Sequence, residues 1–291
     1  MPIRRLWVCL AASILMAGCA LQSDATLSSA ASSRDMRLPP VEHLMLPARG
    51  HTVDVSVYRP AMQPIAAVLV SHGAGSSPAR LEPLIDRLRA EGFLVLAPLH
   101  RDSLLIPESE REDLRTALGS RIGDLHAVSA YAAATYGGLT LGAVGHSYGS
   151  LIALIGGGAL EPIFGARPEN IAAVATFSSP GLIPGLTEPE GALQTVAVPT
   201  LMVTGTEDSV EPFALDPESH IAYFERMPEG DRTLAIVSGA SHGFVYGKEP
   251  HYDEAVDLVL SFLRAELIGG SENTRAFEAL ASDGAIEIRR R

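Results

Sequence analysis

The strongest constraint on this chain is a series of short, nearly uninterrupted apolar runs at residues 65–70, 93–97, 139–144, 171–177, 200–203 and 233–237. A strand with one face in water alternates apolar and polar residues. A run that is apolar throughout is covered on both faces, as in a parallel sheet. Between the runs, Leu81, Leu84, Ile85 and Leu88 recur at helical spacing, as do Ala255, Val256, Val259, Leu260 and Leu263 within residues 252–267. Alternating strand and helix predict an α/β fold with a mostly parallel, doubly wound sheet. Ahead of it, residues 41–46 and 52–58 do alternate, with Arg49-Gly50 between them, and predict an antiparallel hairpin.

The N-terminus reads differently. Arg4 and Arg5 precede an apolar stretch, 6–17, which is shorter than the roughly 20 residues of a membrane span but right for a secretory h-region of about 7 to 15. Met16-Ala17-Gly18-Cys19 resembles a bacterial lipobox, so Cys19 is the expected lipidation site; the alternative is ordinary cleavage after Ala20, giving a free product. The expected layout is a lipoprotein signal peptide over 1–18, a polar tether over 19–40, a domain over 41–270 and a C-terminal extension over 271–291. Within the extension, 275–280 suggests a short helix and 285–288 a strand or a loose tail. The implied location is the cell envelope. Ala20 stands where an aspartate would resemble an inner-membrane retention signal, so the outer membrane, facing the periplasm, is the expected site. The only cysteines are Cys9 and Cys19, so no disulfide is expected within the mature domain.

Charge removes one class of function. Against 34 acidic residues stand 22 basic ones, a net charge of -12 that becomes -14 once Arg4 and Arg5 leave with the signal. Nonspecific nucleic-acid binding needs clustered cations, and the only basic run is Arg289-Arg290-Arg291.

The chemistry of such a sheet sits at the carboxyl ends of its strands. The 139–144 run opens into Gly145-His146-Ser147-Tyr148-Gly149 and then an apolar segment, 151–155. Glycines flanking a serine allow the sharp strand-to-helix turn that exposes a nucleophile, here Ser147. A second match, Gly239-Ala240-Ser241-His242-Gly243, leads into no helix and leaves too little chain for partners. A serine needs a base, and the base needs an orienting acid. Asp208 follows the 200–203 run and His242 the 233–237 run. Glu207 and His251 are the runner-up acid and base, while His146 reads as structural. Each candidate could alone be an ordinary surface residue; their order after successive strands makes the set. An oxyanion needs fixed donors. The Tyr148 N–H is one, and the Ala74 N–H, in Ser71-His72-Gly73-Ala74-Gly75, is the other. The sole lysine, Lys248, does not follow that loop, which disfavours a phosphate-binding reading, and no zinc-ligand pattern or cofactor motif is present.

These segments, with Glu91-Gly92-Phe93 and Gly205-Thr206-Glu207-Asp208, resemble the α/β-hydrolase superfamily over about residues 50–267. Within it the chain is most similar to the dienelactone-hydrolase-like and platelet-activating-factor-acetylhydrolase-like branch, near bacterial cutinases and polyester hydrolases. The dienelactone hydrolases carry a cysteine where this chain has Ser147, and the tryptophan beside the polyester-hydrolase cleft has no counterpart after Trp7. The resemblance therefore implies a serine esterase acting on carboxylic esters through an acyl-enzyme, without a cofactor. A peptidase or amidase, and a noncatalytic binding lipoprotein, are the alternatives. About twenty residues separate the 171–177 and 200–203 runs, too few for a cap domain. Leu182, Ile183, Leu186, Phe213, Phe244 and Tyr148 are expected to line a shallow site for short acyl groups. The expected partners are a small ester and, through the lipid, a membrane; oligomeric state is not legible.

Overall fold

In the hairpin predicted at the start of the domain, β1 (Glu42–Ala48) pairs antiparallel with β2 (His51–Tyr58), and Gly50, at φ +85°, makes the turn. This computed structural model describes residues 38–211 and 214–291. The expected signal peptide, Cys19, most of the tether and Phe213 lie outside the described residues.

The remaining strands are β3 (Ala66–Ser71), β4 (Phe93–Leu99), β5 (Leu141–His146), β6 (Ile171–Phe177), β7 (Thr200–Glu207), β8 (Arg232–Ser241) and β9 (Ile286–Arg290). They form one nine-stranded sheet in the order β1-β2-β4-β3-β5-β6-β7-β8-β9. The strands from β3 to β8 run parallel to one another, whereas β1, β2 and β9 pair antiparallel with their neighbours. Uniform apolarity marks the parallel strands because both faces are covered. Helices α1 (Glu82–Ala90), α6 (Tyr252–Leu267) and α7 (Ser271–Glu278) bury Leu84, Leu88, Val259, Leu263 and Phe277 against one face. The other face packs against α2 (Leu114–Tyr136), α3 (Tyr148–Gly156) and α5 (Glu218–Glu225) through Leu125, Val128, Leu151, Ile155 and Tyr223. A single-turn helix, α4 (Glu161–Phe164), lies between α3 and β6.

Two expectations shift. The strand expected over 139–144 begins at Leu141, because α2 runs to Tyr136 with Gly137 as its C-cap and the Leu139 N–H closes a turn onto the Tyr136 carbonyl. The C-terminal residues expected as an extension are part of the sheet: β9 pairs with Thr233–Val237 of β8. No cap domain interrupts the 178–199 segment, which holds only a 3-10 turn, Glu190–Ala192. Among the described residues no helix is long and apolar enough to cross a membrane.

α2 opens with Asp113, whose carboxylate accepts the Arg115 and Thr116 N–H groups at 2.9 and 3.2 Å. Such a cap is worth about 1 kcal/mol. It also fixes the start of the helix at the edge of the site.

Candidate active site

Ser147 stands between β5 and α3 at φ +54°, ψ −121°, a conformation that costs an L residue about 1 to 3 kcal/mol. The turn is possible because the residues two positions to either side, Gly145 and Gly149, lack side chains. A Cβ on Gly145 would lie 2.1 Å from the Gly149 carbonyl oxygen, and one on Gly149 would lie 2.0 Å from that of Ser71. Ser150 ties the turn down, its hydroxyl donating to the Phe177 carbonyl at 2.8 Å. The strained residue therefore projects its hydroxyl from the sheet end.

The expected partners converge on it. The Ser147 hydroxyl lies 3.0 Å from His242 Nε2, and His242 Nδ1 lies 2.8 Å from Asp208 Oδ1. Because a carboxylate only accepts, Nδ1–H is the donor and Nε2 is free to accept the serine proton. Asp208 is fully buried, and its second oxygen accepts from the Thr204 hydroxyl at 2.8 Å. Burial alone would raise its pKa; hydrogen bonds from His220 and His242 outweigh that and hold it well below the usual carboxylate range.

His220, on α5, escaped the sequence reading. It is fully buried, its Nε2–H lies 2.9 Å from the Asp208 carbonyl and 3.1 Å from Oδ1, and its Nδ1 accepts from the Ser179 hydroxyl at 3.0 Å. No motif spacing marks it, since helix α5 returns it to Asp208 through tertiary packing. Asp208, His220 and His242 place one potential ligand atom each within 4.8 Å of one another. Both imidazoles, however, turn N–H groups toward the acid, and the opposite His220 nitrogen is satisfied by Ser179, so the donors suit a hydrogen-bond relay better than a metal.

His146, read as structural from the sequence, borders the cleft, its ring centroid 5.2 Å from that of His242. Its Nε2–H donates to the His242 carbonyl at 2.9 Å. Burial, with the neighbouring His242, brings its pKa down to about 4, so it is a neutral brace at pH 7.

The alternatives separate on geometry. Glu207 is exposed, and the acid hydrogen-bonded to His242 is Asp208. His251 lies at the start of α6 beside Glu254, at 3.8 Å. The Ser241 hydroxyl donates to Glu249 at 2.6 Å.

Above Ser147 opens a cleft of about 960 Å³ lined by Ala74, Leu114, Leu118, Tyr148, Ile183 and Leu186, among others. Among the described residues neither the Ala74 nor the Tyr148 N–H is committed to a protein acceptor. Ile183, Leu186 and Tyr148 thus sit as expected. Leu182 packs on the core beside the cleft, and Phe244 is a correction: it is 3% exposed and packs edge-to-face on Tyr252, because a 3-10 turn, Phe244–Tyr246, rotates it under the sheet and leaves Tyr246 on the cleft.

A second chain of the same residue types lies beneath the Ser71–Gly75 loop. The Ser71 hydroxyl is 2.8 Å from His100 Nε2, and His100 Nδ1 is 2.7 Å from Asp124 Oδ2. All three side chains are fully buried. His51 closes the far end, its Nε2 2.6 Å from Asp124 Oδ1.

No family model matches the chain, and no curated protein matches it. Solved structures do. A dienelactone hydrolase from Anabaena variabilis superposes with a TM-score of 0.59 at 22% identity, covering 79% of this chain and 100% of that one. An esterase from Pyrococcus furiosus gives 0.62 at 18%, covering 80% and 93%. The esterase domain of a Rhodothermus marinus protein gives 0.55 at 18%, covering 78% and 99%. Strand order, the strained turn at Ser147 and these superpositions together identify the chain's architecture as the α/β-hydrolase fold, without a cap domain.

Proposed function

We propose that the protein is a serine hydrolase that cleaves carboxylic esters. The observation that carries this is the unbroken hydrogen-bond chain from Ser147 through His242 to buried Asp208, ending at an open apolar cleft. His242 Nε2 takes the proton as Ser147 Oγ attacks the ester carbonyl. The oxyanion meets the Ala74 and Tyr148 N–H groups, each such donor being worth about 3 to 4 kcal/mol in the transition state. His242, now an imidazolium stabilised by Asp208, returns the proton to the departing alcohol. Water activated by the same imidazole then releases the acid. The protons come from Ser147 in the first half and from water in the second, and pass through His242 Nε2, which returns the last one to Ser147 Oγ as the acid leaves.

The cleft walls favour an apolar acyl group, with Leu114 and Leu118 contributed by α2 and Ile183 and Leu186 by the 178–199 segment. Short acyl esters are the proposed substrates, because the uncapped rim gives a long chain little enclosure. Export and a lipid at Cys19 belong to the same proposal, supported by the lipobox-like Met16-Ala17-Gly18-Cys19.

A fluorophosphonate probe tests the reading directly. It should label wild type and not Ser147→Ala, and p-nitrophenyl esters from acetate to decanoate should be turned over fastest at the short end. A catalytically silent, unlabelled wild-type protein would refute it.

A further inference from the structure

The loop that carries Ala74 is held from below by one buried ion pair. Arg121, on α2, is fully buried. Its Nη1 donates to the His72 carbonyl at 2.7 Å and its Nη2 to the Gly73 carbonyl at 3.1 Å. Its Nε and Nη2 also grip Asp102 Oδ1 and Oδ2 at 2.8 and 2.9 Å. Asp102 in turn reaches the loop, Oδ2 accepting the Gly75 N–H at 3.1 Å. The backbone on both sides of Ala74 is thereby fixed, and the Ala74 N–H is left uncommitted. The guanidinium carbon also lies 4.8 Å from the centroid of the Tyr148 ring, the residue that supplies the second donor, and the Tyr148 hydroxyl is anchored on the Leu114 carbonyl at 2.7 Å.

Stability is a poor explanation for such a pair. Desolvating two charges often costs as much as their attraction returns, and well-packed apolar residues commonly do as well. A planar guanidinium can bind two carbonyls and a carboxylate at once, which a lysine ammonium cannot match in geometry. Displacing an oxyanion donor, by contrast, costs the transition state far more than the ground state.

We propose that Arg121, acting through Asp102, is a positioning residue that sets the Ala74 N–H against the developing oxyanion. The inference rests on the serine-hydrolase reading above. Arg121 touches no substrate; it fixes where one donor points.

The test compares Arg121→Lys and Asp102→Asn with Arg232→Gln. Arg232 is another buried arginine holding backbone carbonyls, those of Val196, Val198 and Asp231, away from the cleft. For p-nitrophenyl acetate, Arg121→Lys and Asp102→Asn should lower kcat about 30- to 100-fold with KM within about threefold, somewhat less than outright loss of a donor. Hydrogen exchange over residues 72–77 should quicken in both. Arg232→Gln should lower Tm while leaving kcat within about threefold, as loss of a remote contact does. Asp102→Asn preserves shape and keeps the test open if Arg121→Lys does not fold. Folded variants with wild-type kcat and unchanged loop exchange would overturn the proposal, as would kcat losses that track Tm equally in the Arg232 control. A wild-type protein that neither turns over esters nor accepts the fluorophosphonate would refute the hydrolase reading instead, and loop exchange would still decide whether the clamp exists.

Discussion

Ser147–His242–Asp208 and Ser71–His100–Asp124 have nearly the same hydrogen-bond lengths, 3.0 and 2.8 Å in the first, 2.8 and 2.7 Å in the second. In both, the imidazole presents Nδ1 to a buried carboxylate and Nε2 to a hydroxyl. What differs is everything around the serine. Ser147 sits in a strained turn below an open cleft, beside two uncommitted N–H groups. Ser71 ends an unstrained strand, is fully buried, and lies under the carbonyls that Arg121 holds. On the proposed reading, reach and donors, rather than the relay itself, set Ser147 apart from Ser71.

The largest effect should fall on the serines. Ser147→Ala should lower ester turnover about 10⁶-fold, as loss of a triad nucleophile does when the residues act as a unit. Ser71→Ala should leave kcat within about tenfold, because no substrate carbonyl can approach it. Fluorophosphonate labelling followed by peptide mapping reads the same contrast, and modification at Ser71 would erase the distinction.

The acids should separate next. Asp208→Asn should cost about 10⁴-fold in kcat by stabilising the wrong imidazole tautomer. Asp124→Asn should instead appear as lost stability, on the order of 1 to 3 kcal/mol for a disrupted buried hydrogen-bond set. Denaturant melts beside ester kinetics check both. Equal kinetic penalties would mean that the two relays are coupled.

The site was more legible than the machinery that holds it. Ser147, Asp208 and His242 each follow an apolar run whose end fixes their place in space, so chain order alone aligns them. Helix α2 gives no such signal, because its buried face carries Ser120, Arg121, Asp124 and Ser129 among the apolar residues and blurs the stripe. The second relay and the Arg121 clamp depend on that helix and were invisible for the same reason. Phe244 departs from the expected lining because aromatic character beside His242 does not reveal on which side of the sheet a 3-10 turn will put the ring.

The subtlest contrast is with pH. Asp124 raises the pKa of His51, chiefly by hydrogen bonding. A folded value above the unfolded one, about 6.5, means that the added stability is complete below that pH and vanishes as pH climbs through the folded value. The Tm gap between wild type and His51→Gln should therefore be wider at pH 6 than at pH 9. The ester kcat should not follow this gap.

β9 gives the sheet a removable hem. Its pairing along Thr233–Val237 occupies hydrogen-bonding groups of the strand that delivers His242. A chain cut near residue 280 would keep every residue of the relay yet bare that row of donors and acceptors, the kind of border on which foreign strands assemble. Such a truncation should first betray itself as aggregation in light scattering, with the surviving monomers still able to turn over ester.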